Sequence, residues 1–201
     1  MNKKHFLPAG LLLALLLLTL AAAYYPGGTP ANPHTKGYSF TQNYISNLLD
    51  ETAINGAPNK GRIWAIAGVL VASLTFGLFF ISFANRVERK AIARVIRYGG
   101  IVLTATALLV VIPSLHNAVV VVSFITTLFV FFYITVLCLQ ARLRYLKILS
   151  IVFLAFHYLV AYLYFTRTQL IWMPALQKTV HLLQIIWILA LHYGTKPKDF
   201  Q

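Results

Sequence analysis

The segment YYPGGTPANPHTKGYSFTQNYISNLLDETAINGAPNKGR, from Tyr24 to Arg62, is the only long stretch of this 201-residue chain that is too polar to lie in a membrane. Apolar runs flank it on both sides. Three prolines and three glycines between Tyr24 and Gly37 exclude a regular helix or a central strand there. We therefore predict a long loop between two membrane spans.

The second part of this loop, SFTQNYISNLLDET, has the pattern of a short amphipathic helix. Ser39 and Gln42 have the spacing of a capping box. At 100° per residue, the polar face comprises Asn43, Ser46, Asn47 and Asp50, and the apolar face comprises Tyr44, Ile45, Leu48 and Leu49. We expect this helix to lie on the membrane surface or over the mouth of a helix bundle.

The composition places the chain among membrane proteins. Hydrophobic residues make up 59% of it and charged residues only 10%. The formal charge of +13 comes from basic residues in short connections between apolar runs, so we expect membrane lipids as partners and no nucleic acid. The sole cysteine, Cys138, lies in an apolar run, which excludes an intrachain disulfide and a cysteine metal cluster.

Six apolar runs have the length of about 20 residues that crosses a bilayer. They predict an all-α transmembrane bundle, one membrane domain over residues 1–201, with spans at about 6–25, 63–84, 91–112, 118–139, 148–165 and 174–193. The runs are continuous rather than alternating, which excludes a strand barrel. The first run also has the features of a signal peptide, with three alanines before Tyr24, and its cleavage would leave five spans. Gly99 and Gly100 allow a close helix approach in the third span.

The distribution of basic residues predicts the orientation. It places 12 of the 17 Lys and Arg on the cytoplasmic side. These are Lys3 and Lys4; Arg86, Arg89, Lys90, Arg94 and Arg97; Arg142, Arg144 and Lys147; and Lys196 and Lys198. We therefore expect a multi-pass protein of the inner or plasma membrane, with both termini cytoplasmic and the long loop outside.

Polar residues recur within three of the predicted spans at spacings that place them on one helix face. From the fourth span to the sixth they are His116, Ser123 and Thr127, then His157 and Tyr164, then Gln177, His181 and Gln184. Because an unpaired polar group is costly in lipid, we expect these faces to line a cavity that opens outward beneath the loop. The predicted pocket also includes the loop residues Asn43, Ser46 and Asp50.

A purely structural interpretation competes with this one. A lone histidine in a span usually bonds to a neighbouring helix, and tyrosines near span ends form an interfacial belt. Asp50 and Glu51 then are solvated loop charges.

Two classes of function fit these residues. The first is a non-catalytic bundle that associates with lipid or regulates a partner. The second is a metal-dependent hydrolase of a lipid amide or ester, in which Asp50, His116, His157 and His181 hold zinc and Ser46 orients the water. No two histidines have a metal-ligand spacing within one span, which weakens the second class.

Transport coupled to ions is a less favoured function. All four acidic residues lie outside the spans, which argues against ion-coupled transport.

The loop motif also resembles a known family. The YPGGT start and the stretch YSFTQNYISNLL, with its Asn-Tyr-Ile-Ser core, resemble a family of bacterial and archaeal six-span membrane proteins of unknown function, a DUF-type family. That family is distantly similar to the DRAM and Sfk membrane proteins, whose first outer loop carries a short serine-plus-acid motif. The resemblance implies a six-span fold and importance of Asn43, Ser46 and Asp50, and it implies no reaction. Alkaline ceramidases are a looser likeness, with seven spans and an HxxxH motif that this chain lacks.

The orientation is testable by labelling. We predict that a single cysteine at Thr35 reacts with an impermeant thiol reagent in intact cells and that one at Lys90 reacts only after the cells are opened, because the two positions lie on opposite sides of the second span. Labelling of both from the same side would contradict the predicted topology.

Overall fold

Six long helices form the chain in a computed structural model, which describes residues 5–110, 112–141 and 143–200. The helices are α1 (Phe6–Ala23), α2 (Arg62–Ala84), α3 (Lys90–Leu109), α4 (His116–Gln140), α5 (Arg144–Thr166) and α6 (Met173–Gly194). Short 3₁₀ helices cover Ile45–Leu49, Pro113–Leu115, Leu170–Trp172 and Pro197–Phe200. Lys3, Lys4 and Arg142, on which the predicted orientation partly depends, lie outside the described residues.

All six helices are long and apolar enough to cross a membrane, which confirms the predicted fold class at this level. Their ends differ from the predicted spans by at most four residues, the largest difference being the start of α5 at Arg144 rather than 148. Large apolar side chains cover the outer faces, as at Leu12 and Ile63, which are 69% and 70% exposed. A bundle in water rarely exposes so much contiguous apolar surface, whereas lipid would cover it.

The helices are arranged as a ring. Each packs against its neighbours in sequence, and α1 also contacts α6. The connection between α1 and α2, residues 24–61, is by far the longest, and we call it the 24–61 loop. It defines the loop end of the bundle, and the opposite end is the far end.

Aromatic side chains fill the ring in its far half. Trp187 of α6 has no exposed surface and stacks on Phe153 of α5, with ring centroids 4.7 Å apart. Its indole N–H donates a hydrogen bond of 2.8 Å to the Ser150 hydroxyl. The other members of this aromatic core are Phe79, Phe80, Phe83 and Phe131.

The 24–61 loop is folded onto the loop end by buried amides. The Asn59 side chain donates to the carbonyls of Leu48 and Asp50 at 3.0 and 2.9 Å, and the Asn43 side chain donates to the Gly28 carbonyl at 2.8 Å. Gly28 has φ +85°, a conformation that other residues rarely adopt, and a Cβ there would lie 2.4 Å from the Asn55 nitrogen. These bonds satisfy a backbone that has little regular structure of its own.

The helix predicted within residues 39–52 is shorter in the structure, which has only the five-residue 3₁₀ helix Ile45–Leu49 there. The side-chain oxygen of Asn43 accepts the Ser39 N–H at 2.8 Å, so a side chain takes the place of a helical backbone partner. Gln42 accepts a bond from the Thr29 hydroxyl instead of capping the helix with Ser39. The cap is formed by Asn47, which accepts the Tyr44 N–H at 2.8 Å.

Close packing of α2 and α3 yields a stability prediction. A Cβ at Gly100 would lie 2.5 Å from Cβ of Phe80, which cannot move without shifting the helix. We expect Gly100→Ala to destabilise the purified protein by about 1–3 kcal/mol, the usual cost of overpacking, in thermal unfolding followed by circular dichroism.

Gly194→Ala is the matched control, because its Cβ would meet Leu146 at an ordinary 3.5 Å. Equal losses in the two variants would show that α2 and α3 are not closely packed at Gly100.

Candidate functional site

A cavity of about 520 Å³ lies inside the ring, between the 24–61 loop and the aromatic core. Helices α2 to α6 form its walls, and residues of the loop lie at its mouth. Most of the wall is apolar, formed by Val69, Val110, Val119, Val120, Phe124, Val160, Leu170, Met173 and Val180. Its volume is within the range of about 300–1,000 Å³ that is typical of small-molecule sites.

Four polar residues form what we call the polar floor of this cavity. They are Thr127, His157, His181 and Gln184. At 1.5 Å per residue they lie roughly 12–16 Å from the loop-side ends of their helices, so they share one depth. Phe131, Phe153 and Trp187 follow one turn further along the same helices, so the aromatic core closes the cavity from below.

His157 is the unusual member of the floor. Its side chain is 5% exposed, and neither ring nitrogen has a hydrogen-bond partner among the described residues. Its ring packs against Phe131, Phe153 and Phe124, with centroid distances of 5.1, 5.9 and 6.0 Å. A buried polar group left unpaired costs about 1–3 kcal/mol, so His157 destabilises the bundle unless it finds a partner.

The remaining polar floor residues are easier to reach. His181 is exposed and Gln184 is half-buried, and both line the cavity. Both groups can donate and accept hydrogen bonds. The floor therefore offers a neutral, versatile set of partners to a molecule that enters the cavity.

A second set of polar side chains surrounds the mouth. Tyr164 stacks on Phe124 with a centroid distance of 5.2 Å, and the guanidinium of Arg167 lies 5.6 Å from the Tyr164 ring centre. Arg167 has φ 58°, because the chain reverses there between α5 and α6.

Other residues complete the mouth. The His116 ring is held by a contact of 3.2 Å between Nδ1 and the Val110 carbonyl. Ser46 and Tyr44 complete the mouth from the loop, and burial raises the pKa of the Tyr44 phenol.

Two consecutive residues of α6, Gln177 and Lys178, attach the loop to the bundle, and we call them the loop clamp. Gln177 accepts the Ile45 N–H at 3.0 Å. Lys178 is 7% exposed, and its ammonium donates to the carbonyls of Asn43 and Pro174. The same ammonium lies 5.5 Å and 5.2 Å from the ring centres of Tyr38 and Phe40. Carbonyls and aromatic faces thus take the place of an acidic partner for this cation.

The structure brings seven of the nine predicted pocket residues together. Ser46, His116, His157, Tyr164, Gln177, His181 and Gln184 all line the cavity. Asn43 does not, because it is buried within the loop and bonded to its backbone.

Asp50 also lies outside the cavity wall, at the end of the 3₁₀ helix and exposed on one side. Partial burial raises the pKa of the Asp50 carboxyl, against the opposing effects of His116, Asn47 and Arg62. Its neighbour Glu51 forms an ion pair of 3.0 Å with Arg62. These two carboxylates therefore belong to the surface of the loop.

The four residues predicted as metal ligands do not form a ligand set. Within residues 5–110, 112–141 and 143–200, no three His, Cys, Asp or Glu side chains are close enough together to hold a metal ion. Asp50 lies outside the cavity, His116 lies at its mouth, and His157 and His181 lie at its floor.

Sequence reasoning missed Arg167, which lies at the mouth. A signal for it exists, because it is one of only five basic residues assigned to the outer side, where Lys and Arg are disfavoured. It also missed Tyr44, because helical periodicity places this residue on the apolar face of the predicted loop helix.

Comparisons of the chain with protein-family models, with curated proteins and with solved structures found no match. The resemblance to a six-span family therefore remains a prediction that depends on the loop motif.

The loop clamp generates a prediction about local stability. Gln177→Leu removes the acceptor of the Ile45 N–H, so we expect this amide to exchange with solvent deuterium about fivefold to tenfold faster. Hydrogen exchange read by mass spectrometry on peptides covering 38–49 measures the effect.

Thr179→Val is the matched control, because the exposed Thr179 hydroxyl bonds to the Ala175 carbonyl of its own helix and to nothing else among the described residues. The same exchange rate in both variants would mean that Gln177 does not hold the loop.

Proposed function

We propose that this chain is a six-span membrane protein that binds an amphiphilic, lipid-like molecule in the cavity, and that it does so without catalysing a reaction. The observation that carries the proposal is His157, whose two ring nitrogens are unpaired on the floor of a largely apolar cavity. A ligand that supplies an apolar body and a polar group at one end matches both features.

The chemistry of the polar floor favours a neutral polar group. Histidine and glutamine side chains both donate and accept hydrogen bonds, and the cavity floor contains no acidic residue, lysine or arginine in the described part of the chain. A hydroxyl, ester or amide group would satisfy His157 without bringing an unpaired charge into an apolar surrounding. The apolar walls, among them Val120, Val160 and Val180, then contact the hydrocarbon part of the ligand.

The orientation is part of the proposal. With 12 of the 17 Lys and Arg in the termini or at the helix ends and connections of one side, both termini are cytoplasmic and the 24–61 loop is on the outer face of the inner or plasma membrane. The cavity then opens outward, and the polar floor lies near the middle of the bilayer. Burial of neutral rather than charged groups at this depth is consistent with the cost of charge in hydrocarbon.

A zinc hydrolase has less support. Such a site needs three protein ligands around one position, and the described residues provide no such group. Asp50, the acidic member of the predicted set, is outside the cavity wall. A binding function requires only the cavity and its unpaired polar atoms.

The test is binding of a radiolabelled monoacylglycerol to the protein purified in a neutral detergent, read by scintillation proximity. This probe has an acyl chain and a neutral head of hydroxyl and ester groups. We expect binding of about one molecule per protein. Val120→Phe narrows the cavity and should weaken binding by at least about tenfold. Val122→Phe, two residues away on the exposed face of α4, is the matched control and should bind as the unmodified protein does.

His157→Phe separates a ligand-binding role from a structural one. Removal of two unpaired polar atoms should leave the melting temperature equal or higher, whereas probe binding should fall by at least about tenfold. Thr135→Val is its control, because the buried Thr135 hydroxyl is also unpaired among the described residues and does not line the cavity. In Thr135→Val the melting temperature and the probe binding should both be equal to or higher than those of the unmodified protein.

Two results would contradict the proposal. The first is probe binding that does not exceed the detergent background, or that is the same in Val120→Phe as in Val122→Phe. The other is a His157→Phe protein that unfolds at a lower temperature and binds normally, which would make His157 a structural residue.

A further inference from the structure

A second recess lies at the far end of the bundle, between the end of α2 and the start of α3. It is an open cleft of about 570 Å³. Three cations of α3, Lys90, Arg94 and Arg97, line it together with Asn85. The buried residues Ala84 and Val87 form its apolar base.

The three cations converge on the cleft because of their spacing. Lys90, Arg94 and Arg97 follow i, i+4, i+7 and therefore occupy one face of α3. Arg97 donates from one guanidinium nitrogen to the Asn85 side-chain oxygen at 2.6 Å, and Arg94 donates from Nε to the Lys90 carbonyl at 3.3 Å. These bonds orient both guanidinium groups and leave further N–H donors available, since each arginine has five.

No acidic side chain neutralises this cluster in the part of the chain that the structure describes. The nearest acid in sequence, Glu88, is exposed and forms no ion pair with the three cations. Three like charges within two helical turns repel one another, and an anion in the cleft would remove that repulsion. Guanidinium groups bind phosphate through paired N–H donors, so the chemistry of this cleft suits a phosphate group.

The surface beyond the cations identifies the source of the phosphate. The same face of α3 continues as Ile101, at i+4 from Arg97, which is 46% exposed. Further along the helix Leu108 is also 46% exposed, so the basic face changes into an apolar one. A phospholipid matches this order of basic and apolar surface, because its phosphate lies at the membrane surface and its acyl chains lie below.

We propose that this cleft binds the phosphate of an anionic phospholipid, with the headgroup on Lys90, Arg94 and Arg97 and an acyl chain along the exposed face of α3. The site is separate from the cavity, because Arg97 of the cleft and Thr106 of the cavity wall are nine residues apart along α3, about 14 Å at 1.5 Å per residue. It holds lipid at the surface of the bundle and does not depend on the proposed function of the cavity.

The experiment is isothermal titration calorimetry of the full chain in a neutral detergent. The probes are short-chain phosphatidylglycerol, phosphatidylcholine of the same chain length, and inorganic phosphate. We expect saturable binding of phosphatidylglycerol that is at least about tenfold tighter than that of phosphatidylcholine. Arg94→Gln/Arg97→Gln should weaken it by about fivefold for each cation removed.

Arg144→Gln/Lys198→Gln is the matched control. Both residues are exposed and lie outside the cleft, and the double variant removes the same charge. Binding in this control should stay within about twofold of the unmodified protein.

The phosphate arm separates the two sources of the group. If inorganic phosphate binds weakly, the result supports a phospholipid as the ligand. If phosphate binds as tightly as phosphatidylglycerol and displaces it, the cleft is a site for soluble phosphate esters and the lipid proposal is overturned. Equal loss of binding in both double variants, or no loss in Arg94→Gln/Arg97→Gln, would overturn the site itself.

Discussion

The structure depends on one constraint, which is that every polar group removed from water needs a hydrogen-bond partner inside the protein. The hydroxyl of Thr75 satisfies it by bonding to the Val71 carbonyl of its own helix, and the Trp187 indole satisfies it through Ser150. The ammonium of Lys178 satisfies it with two backbone carbonyls. Against this background His157 is informative, because both of its ring nitrogens are buried and unpaired in a residue that lines the cavity.

The same constraint explains how a Pro/Gly-rich segment acquires a defined fold. The 24–61 loop has few backbone hydrogen bonds of a regular kind, so side-chain amides of Asn43 and Asn59 replace them. Gln177 and Lys178 extend this network to α6, and they place the loop over the mouth of the cavity. The loop and the cavity therefore form one unit, in which α6 supplies both the clamp and part of the polar floor.

The two halves of the helix ring differ because their residues differ in size and shape. In the far half, Gly100 and Gly77 let α2 and α3 approach closely, and large aromatic side chains fill the remaining space. In the loop half, shorter side chains such as Val120 and Val160 face the interior and leave it open. Charge differs as well, because the polar floor of the cavity is neutral, whereas the cations Lys90, Arg94 and Arg97 of α3 lie on the surface of the far end.

The sequence alone determined the six helices, because an apolar run of about 20 residues has few structures other than a helix that satisfy its backbone. Helical periodicity likewise predicted that His116, Tyr164, Gln177 and His181 share a cavity, since their spacing fixes the face on which each lies. Only the tertiary structure decided the rest. It buried Asn43 in the loop, left Asp50 outside the cavity and brought Arg167 to its mouth, because these positions depend on how a loop without periodicity packs against helices distant in sequence. It also left His157 unpaired, which no local pattern encodes, because pairing depends on what the neighbouring helices present to it.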